Sequence, residues 1–475
     1  MKILNKLWKR EGGYHEILVI ALPLIISTSS WTVQHFVDRM FLTWYSPEAI
    51  AASVPAGIMS FTIICFFLGI STYVSTFIAQ YFGAKMYHKI GPILWQGLYI
   101  AIVAGIINLI LVPFAVPIFG FFGHDKIVQQ NEVMYFQVLC TGAGFAVAAS
   151  VMSCFYSGRG KTSVIMWINI LATLINVIFD YLLIFGNFGF PEMGIKGAAI
   201  ATVFATFVSL IAYFVLLFRG SYERLYRIRS GWKFNRALFK RLLKFGLPNG
   251  VQFFLDVAGF TVFILLIGRL GTNELAATNI AFNINFLAFM PMLGLGMAVS
   301  ILVGQYIGKG KSDIAERCSY SAFHLSLFYV TIMVVIYVFL PGILLSPFAT
   351  RANAESFAPI RDIAIMLIRF VAVYSVFDMI NIIFASAIKG AGDTRFVMYI
   401  IITASLSLLI IPSYIALFIL NCDIYTGWFI VTIYIVVLSL VFFLRFLGGK
   451  WKSMSVIEES RPLVATSIPE IPVIN

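Results

Sequence analysis

The chain has 475 residues, of which 60% are hydrophobic and only 11% charged, and it carries a formal net charge of +12. With a mean hydropathy of +0.94 it cannot fold around a single soluble core, and the composition points to a polytopic membrane protein. The basic excess needs no nucleic-acid partner, because Lys- and Arg-rich loops at a membrane surface account for it.

Apolar stretches of about 20 residues can cross the hydrocarbon core as helices, which satisfy their own backbone hydrogen bonds where water is missing. Twelve are predicted, at 15–45, 48–82, 92–118, 129–156, 164–186, 194–218, 245–268, 274–306, 318–345, 359–388, 396–420 and 425–447. The fold class is therefore an all-α polytopic membrane protein with twelve transmembrane helices. The Lys-rich start leads into the first apolar run without a small-residue cleavage site, so that run reads as a retained span rather than a signal peptide.

Charge tests this topology independently, since basic loops resist translocation. Placing both termini in the cytoplasm, with the chain in the cell (inner) membrane, puts 26 of the 33 basic residues on the inner side. Nine of them lie between Arg219 and Lys244.

The two halves repeat. At an offset of 225 residues, Leu22-Pro23 recurs as Leu247-Pro248, Ala51-Ala52 as Ala276-Ala277, Gln80-Tyr81 as Gln305-Tyr306 and Gly83 as Gly308. At an offset of 232, Gly158, Gly160 and Thr162 recur as Gly390, Gly392 and Thr394. With six spans per half, both halves enter the membrane from one side, so they are parallel repeats around a central cavity, an architecture of secondary transporters. The predicted division is an N-terminal lobe over 1–218, a basic cytoplasmic linker over 219–244, a C-terminal lobe over 245–448, and a cytoplasmic tail over 449–475. The tail carries Glu458, Glu459, Pro462, Pro469 and Pro472 and is expected to be disordered.

Of 21 acidic residues, Asp38, Asp180, Asp256 and Asp378 are read as lying well inside apolar spans. A carboxylate at mid-membrane costs roughly 2.5–3.5 kcal/mol on insertion scales, so it persists where it lines a wet cavity or binds a cation, or else in an ion pair or packing contact. Asp256 and Asp378 are each predicted ~17 Å from the inner surface and so able to meet in one site. Asn176 and Asp180 are four apart on one helix face, toward the outer half. Oxygen ligands suit a hard cation such as Na⁺, while an apolar setting also favours proton binding. His35, three residues before Asp38, is either a proton sensor or a packing residue.

Enzyme chemistry finds no support: the five His and five Cys lack metal-ligand spacing, and no nucleophile has a base beside it. Gly158-Arg159-Gly160-Lys161-Thr162 resembles the end of a phosphate-binding loop, but Phe155 stands where that motif needs Gly. No cofactor is implied.

Four motifs in order carry a resemblance to the multidrug and toxic compound extrusion (MATE) family. They are Pro23 with Val37-Asp38, Gln80-Tyr81-Phe82-Gly83-Ala84, Gly194-Ile195-Lys196-Gly197-Ala198-Ala199-Ile200-Ala201-Thr202, and Gly390-Ala391-Gly392-Asp393-Thr394. The resemblance mixes NorM-like and DinF-like features and implies a monomeric exporter of small organic, often cationic, compounds, driven by Na⁺ or H⁺ antiport among membrane lipids. It implies a first-lobe cation site at Asp38, Asn176, Asp180 and Thr202, with Na⁺ at the first three, and a second-lobe cation or substrate site at Asp256 and Asp378. The alternatives weighed are a lipid-linked oligosaccharide flippase of similar construction, which should show a cationic cavity, and, more distantly, an integral-membrane enzyme.

Overall fold

The computed structural model, which describes residues 8–219, 222–349 and 354–458, has one membrane-length helix at each predicted apolar stretch. The first six are α1 (Tyr14–Tyr45), α2 (Pro47–Gly83), α3 (Tyr87–Gly120), α4 (Lys126–Ser157), α5 (Thr162–Phe185) and α6 (Gly194–Leu217). The second six are α7 (Arg236–Ile267), α8 (Thr272–Gly308), α9 (Ser312–Phe339), α10 (Phe357–Ala391), α11 (Thr394–Ile419) and α12 (Ile424–Leu447). All twelve are long and apolar enough to span a bilayer, and the chain is an integral membrane protein.

Two boundaries and the interior of one helix differ from expectation for local reasons. Helix α7 starts nine residues before the predicted 245, because Asn235 caps it by accepting a hydrogen bond from Leu238 N at 3.0 Å, so part of the basic linker is helical. Helix α9 stops at Phe339, ahead of Pro341, which opens a separate short helix, Pro341–Ala349. Helix α11 contains two π-helical stretches, Ser405–Ile410 and Ile415–Ile419.

The two lobes meet along α1, α2, α7 and α8, and their closest approaches lie toward the face that carries the basic loops. A Cβ on Gly83 would stand 2.0 Å from the Gln305 carbonyl oxygen, and one on Gly308 would stand 2.1 Å from that of Gln80, so the ends of α2 and α8 cross backbone to backbone. Only glycine permits this contact. The flanking glutamines reinforce it reciprocally. Gln80 Nε2 donates to the carbonyls of Gly390 (3.0 Å) and Ala391 (3.2 Å), while Gln305 Nε2 donates to that of Gly158 (2.9 Å). These are equivalent positions of the repeat, so the seam obeys its two-fold relation. Nearer mid-membrane, Gly69 packs on Gly250 and Gly294 on Ile25, and Thr28 Oγ1 lies 3.5 Å from the Met290 carbonyl. Among the described residues, the hydrogen bonds between the lobes all come from this half of the molecule. The lobes are closed at the basic face and untied toward the opposite one.

The expectation of a disordered tail from Gly449 onward is corrected for its first part. Trp451 is fully buried, its ring stacked on Phe446 at 5.0 Å and its indole N–H donating to the Phe446 carbonyl at 2.9 Å. Beyond it, Ser455 Oγ and Val456 N donate to Gln80 Oε1 (2.9 and 2.8 Å), Tyr81 Oη donates to Glu458 Oε2 (3.0 Å), and Lys452 pairs with Glu316 (2.7 Å). Residues 450–458 thus strap both lobes across the seam. Burial raises the Glu458 carboxyl, but hydrogen bonds from its own backbone and Tyr81, with the Arg241 charge, outweigh that and hold it below the usual range, so it stays ionised at neutral pH. The remainder of the tail, 459–475, lies outside the described residues. Trp451→Ala removes about 3–5 kcal/mol of anchoring, and limited proteolysis of the detergent-purified protein is expected to cleave the tail faster than in the parent.

Candidate functional site

Helices α1 and α5 run in the same direction and pack in register. Thr162 Oγ1 donates to the Ile20 carbonyl at 3.0 Å, Asn169 Nδ2 to Ser27 Oγ, and Thr173 Oγ1 to the Ser30 carbonyl at 3.3 Å, partners separated by 142, 142 and 143 residues. Continuing that register brings Asp180 to the level of Asp38. The two carboxyl groups lie within hydrogen-bonding reach of each other, and both residues are buried, Asp38 at 4% exposure and Asp180 at 0%.

Asn176 completes the group. With its amide nitrogen toward the acids, it donates to Asp38 Oδ1 at 2.9 Å and to Asp180 Oδ2 at 3.2 Å. The other arm of the amide then faces Thr202 Oγ1 of α6, for its terminal atom lies 3.4 Å away. Asp180 Oδ1 is buried without a hydrogen bond. Two carboxylates in contact repel unless a proton or a cation lies between them. Among the described residues no Lys or Arg is within ion-pair distance of either; Arg39 is exposed and acts on Asp38 only from farther away. The carboxyl oxygens suit a shared proton in this arrangement, and with the Asn176 amide turned its oxygen and the Thr202 hydroxyl would join them in a hard set suited to Na⁺.

Tyr135 of α4, a residue sequence reasoning missed, is buried within the electrostatic reach of both acids. No spacing rule links a tyrosine on α4 to α1 and α5.

The second-lobe acids are arranged differently. Asp256 on α7 accepts from Gln252 Nε2 at 3.4 Å, and Asp378 on α10 accepts from Asn381 Nδ2 at 3.2 Å. Each acid has its own amide partner and no hydrogen bond joins the two, yet Asp378 lies within electrostatic reach of Asp256 and both act on Tyr434. Lys389 of α10 supplies positive charge near Asp256. Close by, Ser405 in the first π stretch of α11 and Tyr434 of α12 share a hydrogen bond at 3.1 Å.

His35 does not bond to Asp38; its ring packs edge-on against Trp31 at 5.0 Å. Trp31 contacts Phe61 at 5.6 Å, and Phe61 reaches Phe253 of the second lobe at 6.0 Å, forming an aromatic path between the lobes above the seam. Another buried acid stands near a helix end rather than deep in a span. Glu132, near the start of α4, is fully buried and paired with His124 Nδ1 at 2.8 Å.

With this geometry in view, the chain can be set beside known proteins. The family model described as MatE matches residues 23–182 and 248–415, one stretch in each lobe. A probable multidrug resistance protein NorM from Thermotoga maritima is 26% identical over 455 residues, covering 94% of this chain and 95% of its own. The multidrug resistance protein PmpM from Pseudomonas aeruginosa is 29% identical over 390 residues, covering 81% and 80%. A structure described as the outward-facing conformation of a multidrug resistance MATE family transporter superposes with a TM-score of 0.84 at 21% identity, covering 94% of this chain and 98% of its own.

Proposed function

This chain belongs to the MatE family, and we propose that it is a secondary active multidrug exporter, in which Na⁺ or H⁺ entering down its gradient drives organic, often cationic, compounds out of the cell. The observation that carries the proposal is the buried Asp38–Asp180 contact, two acids with no ion-pair partner among the described residues. Such a pair has strongly different free energies with and without a cation, which is the differential binding that a coupled cycle requires.

The cation would take its place between the two carboxyl groups, with Asn176 and Thr202 turning their oxygens toward it. Its arrival draws α1 onto α5. Helix α1 also borders the seam, through Ile25 against Gly294 and Thr28 near the Met290 carbonyl, and it carries Pro23 at the level where it can bend. A change at Asp38 is thereby felt where the lobes meet. We place the basic face in the cytoplasm with both termini, in the inner membrane, which makes the described arrangement outward-facing and the seam the inner gate. The aromatic path from Trp31 to Phe253 offers a wall for flat organic compounds, and the acids favour cationic ones. The protein is proposed to work as a monomer.

Proteoliposomes loaded with ethidium test this reading under an imposed Na⁺ gradient and then an imposed H⁺ gradient. One gradient is expected to drive uphill ethidium movement that stops when an ionophore collapses it; if ethidium only ever equilibrates, antiport is wrong.

A further inference from the structure

On the basic face, α7 opens with Lys240, Lys244 and Leu247 at steps of four and three residues, which sets them along one side of the helix. Arg395, the second residue of α11, converges on the same side, and together with Arg241 and Leu243 these residues line an open cleft of about 550 Å³. Among the described residues no carboxylate lines it.

Arg241 is already engaged, by Glu458 Oε1 at 3.5 Å and by the Ile457 carbonyl at 3.1 Å. Lys240, Lys244 and Arg395 have no hydrogen bond or ion pair among the described residues; Lys244 only approaches the Phe245 ring, at 5.5 Å. Three uncompensated cations drawn from two helices repel one another unless an anion sits among them. The general bias of basic residues toward one membrane face explains their side, but not their convergence on one cleft.

The order of residues along α7 narrows the anion. Cations come first and an exposed leucine follows, over ~10 Å of helix running from the surface into the hydrocarbon. That is the order of a phospholipid, phosphate headgroup and then acyl chain. Free phosphate would have no use for Leu243 and Leu247.

We propose that this cleft is a binding site for an anionic phospholipid, with the headgroup phosphate held by Lys240, Lys244 and Arg395 and an acyl chain laid along Leu247. Basic pockets at the ends of transmembrane helices hold lipid headgroups in this manner.

The test is native mass spectrometry of the full-length protein in non-ionic detergent, mixed with phosphatidylglycerol or with phosphatidylcholine. The parent is expected to retain phosphatidylglycerol preferentially. The triple variant Lys240→Gln, Lys244→Gln, Arg395→Gln should lose that preference by about tenfold or more, whereas Lys240→Arg with Lys244→Arg should keep it. Neutralising Lys85, Lys89 and Lys161 instead should leave it intact. Undiminished retention by the triple variant would overturn the proposal, as would equal loss in the remote variant, or displacement of the lipid by an equimolar amount of inorganic phosphate.

Discussion

Asp38→Asn and Asp180→Asn are each expected to abolish gradient-driven export, lowering the initial rate in proteoliposomes roughly 100-fold, the upper range of a coupling free energy between two sites. Either substitution leaves a single carboxylate beside an amide that can hydrogen-bond to it, so the remaining group no longer needs a cation to relieve repulsion. The double variant should therefore be no worse than either single one, since residues that work as one unit are not additive. Stability gives an independent sign. Two ionised carboxyls in contact oppose folding by several kcal/mol, so the variants should melt no earlier than the parent in ion-depleted buffer and should lose any rise in melting temperature caused by the coupling ion. A carboxylate kept only to hold α1 and α5 together would give the reverse: earlier melting with transport retained.

The second large effect belongs to the seam. Gln80 Nε2 and Gln305 Nε2 donate to carbonyls at the ends of α10 and α4, and Gln80 Oε1 also anchors the tail through Ser455 and Val456. Replacing both glutamines by alanine leaves buried polar groups without partners, at about 1–3 kcal/mol each. A shift of that size, taken twice, is about 2–6 kcal/mol and moves a two-state population by roughly one and a half to four orders of magnitude. In Gln80→Ala, Gln305→Ala, spin labels on the α2 and α8 ends are expected to report a long-distance population, open at the basic face, that is minor in the parent. If the distances stay unchanged, these hydrogen bonds do not hold the gate.

Much of the architecture was legible because it depends on local composition. Long apolar runs define the helices, and the repeat puts Gln80 with Gln305 and Gly83 with Gly308 before any contact is known. What the repeat cannot say is that each glutamine reaches the opposite lobe, since that is a matter of how the halves dock. Asp38 and Asp180 could each be singled out as costly intramembrane acids, but their contact depends on the register of α1 against α5. A usable signal existed: Thr162, Asn169, Thr173, Asn176 and Asp180 step by seven, four, three and four residues, a polar stripe on an otherwise apolar helix. Ser27, Ser30 and Asp38 face it from α1. The tail misled because its prolines and acids were read as one segment, although Trp451, Val456 and Ile457 have a buried surface waiting for them. Glu132 was passed over because it stands at a span end, where solvent access is the ordinary expectation.

The matched glutamines have a consequence for ancestry. A half-length protein carrying Gln80 and Gly83 would, on pairing head to head with its own copy, form both arms of the gate from a single gene. The gate is therefore available to a homodimer, whereas the acid pair is not duplicated in the second lobe: Asp38 falls opposite Phe263, and at the later offset Asp180 falls opposite Pro412. Two joined copies can keep the seam in common while only the first carries the acid pair.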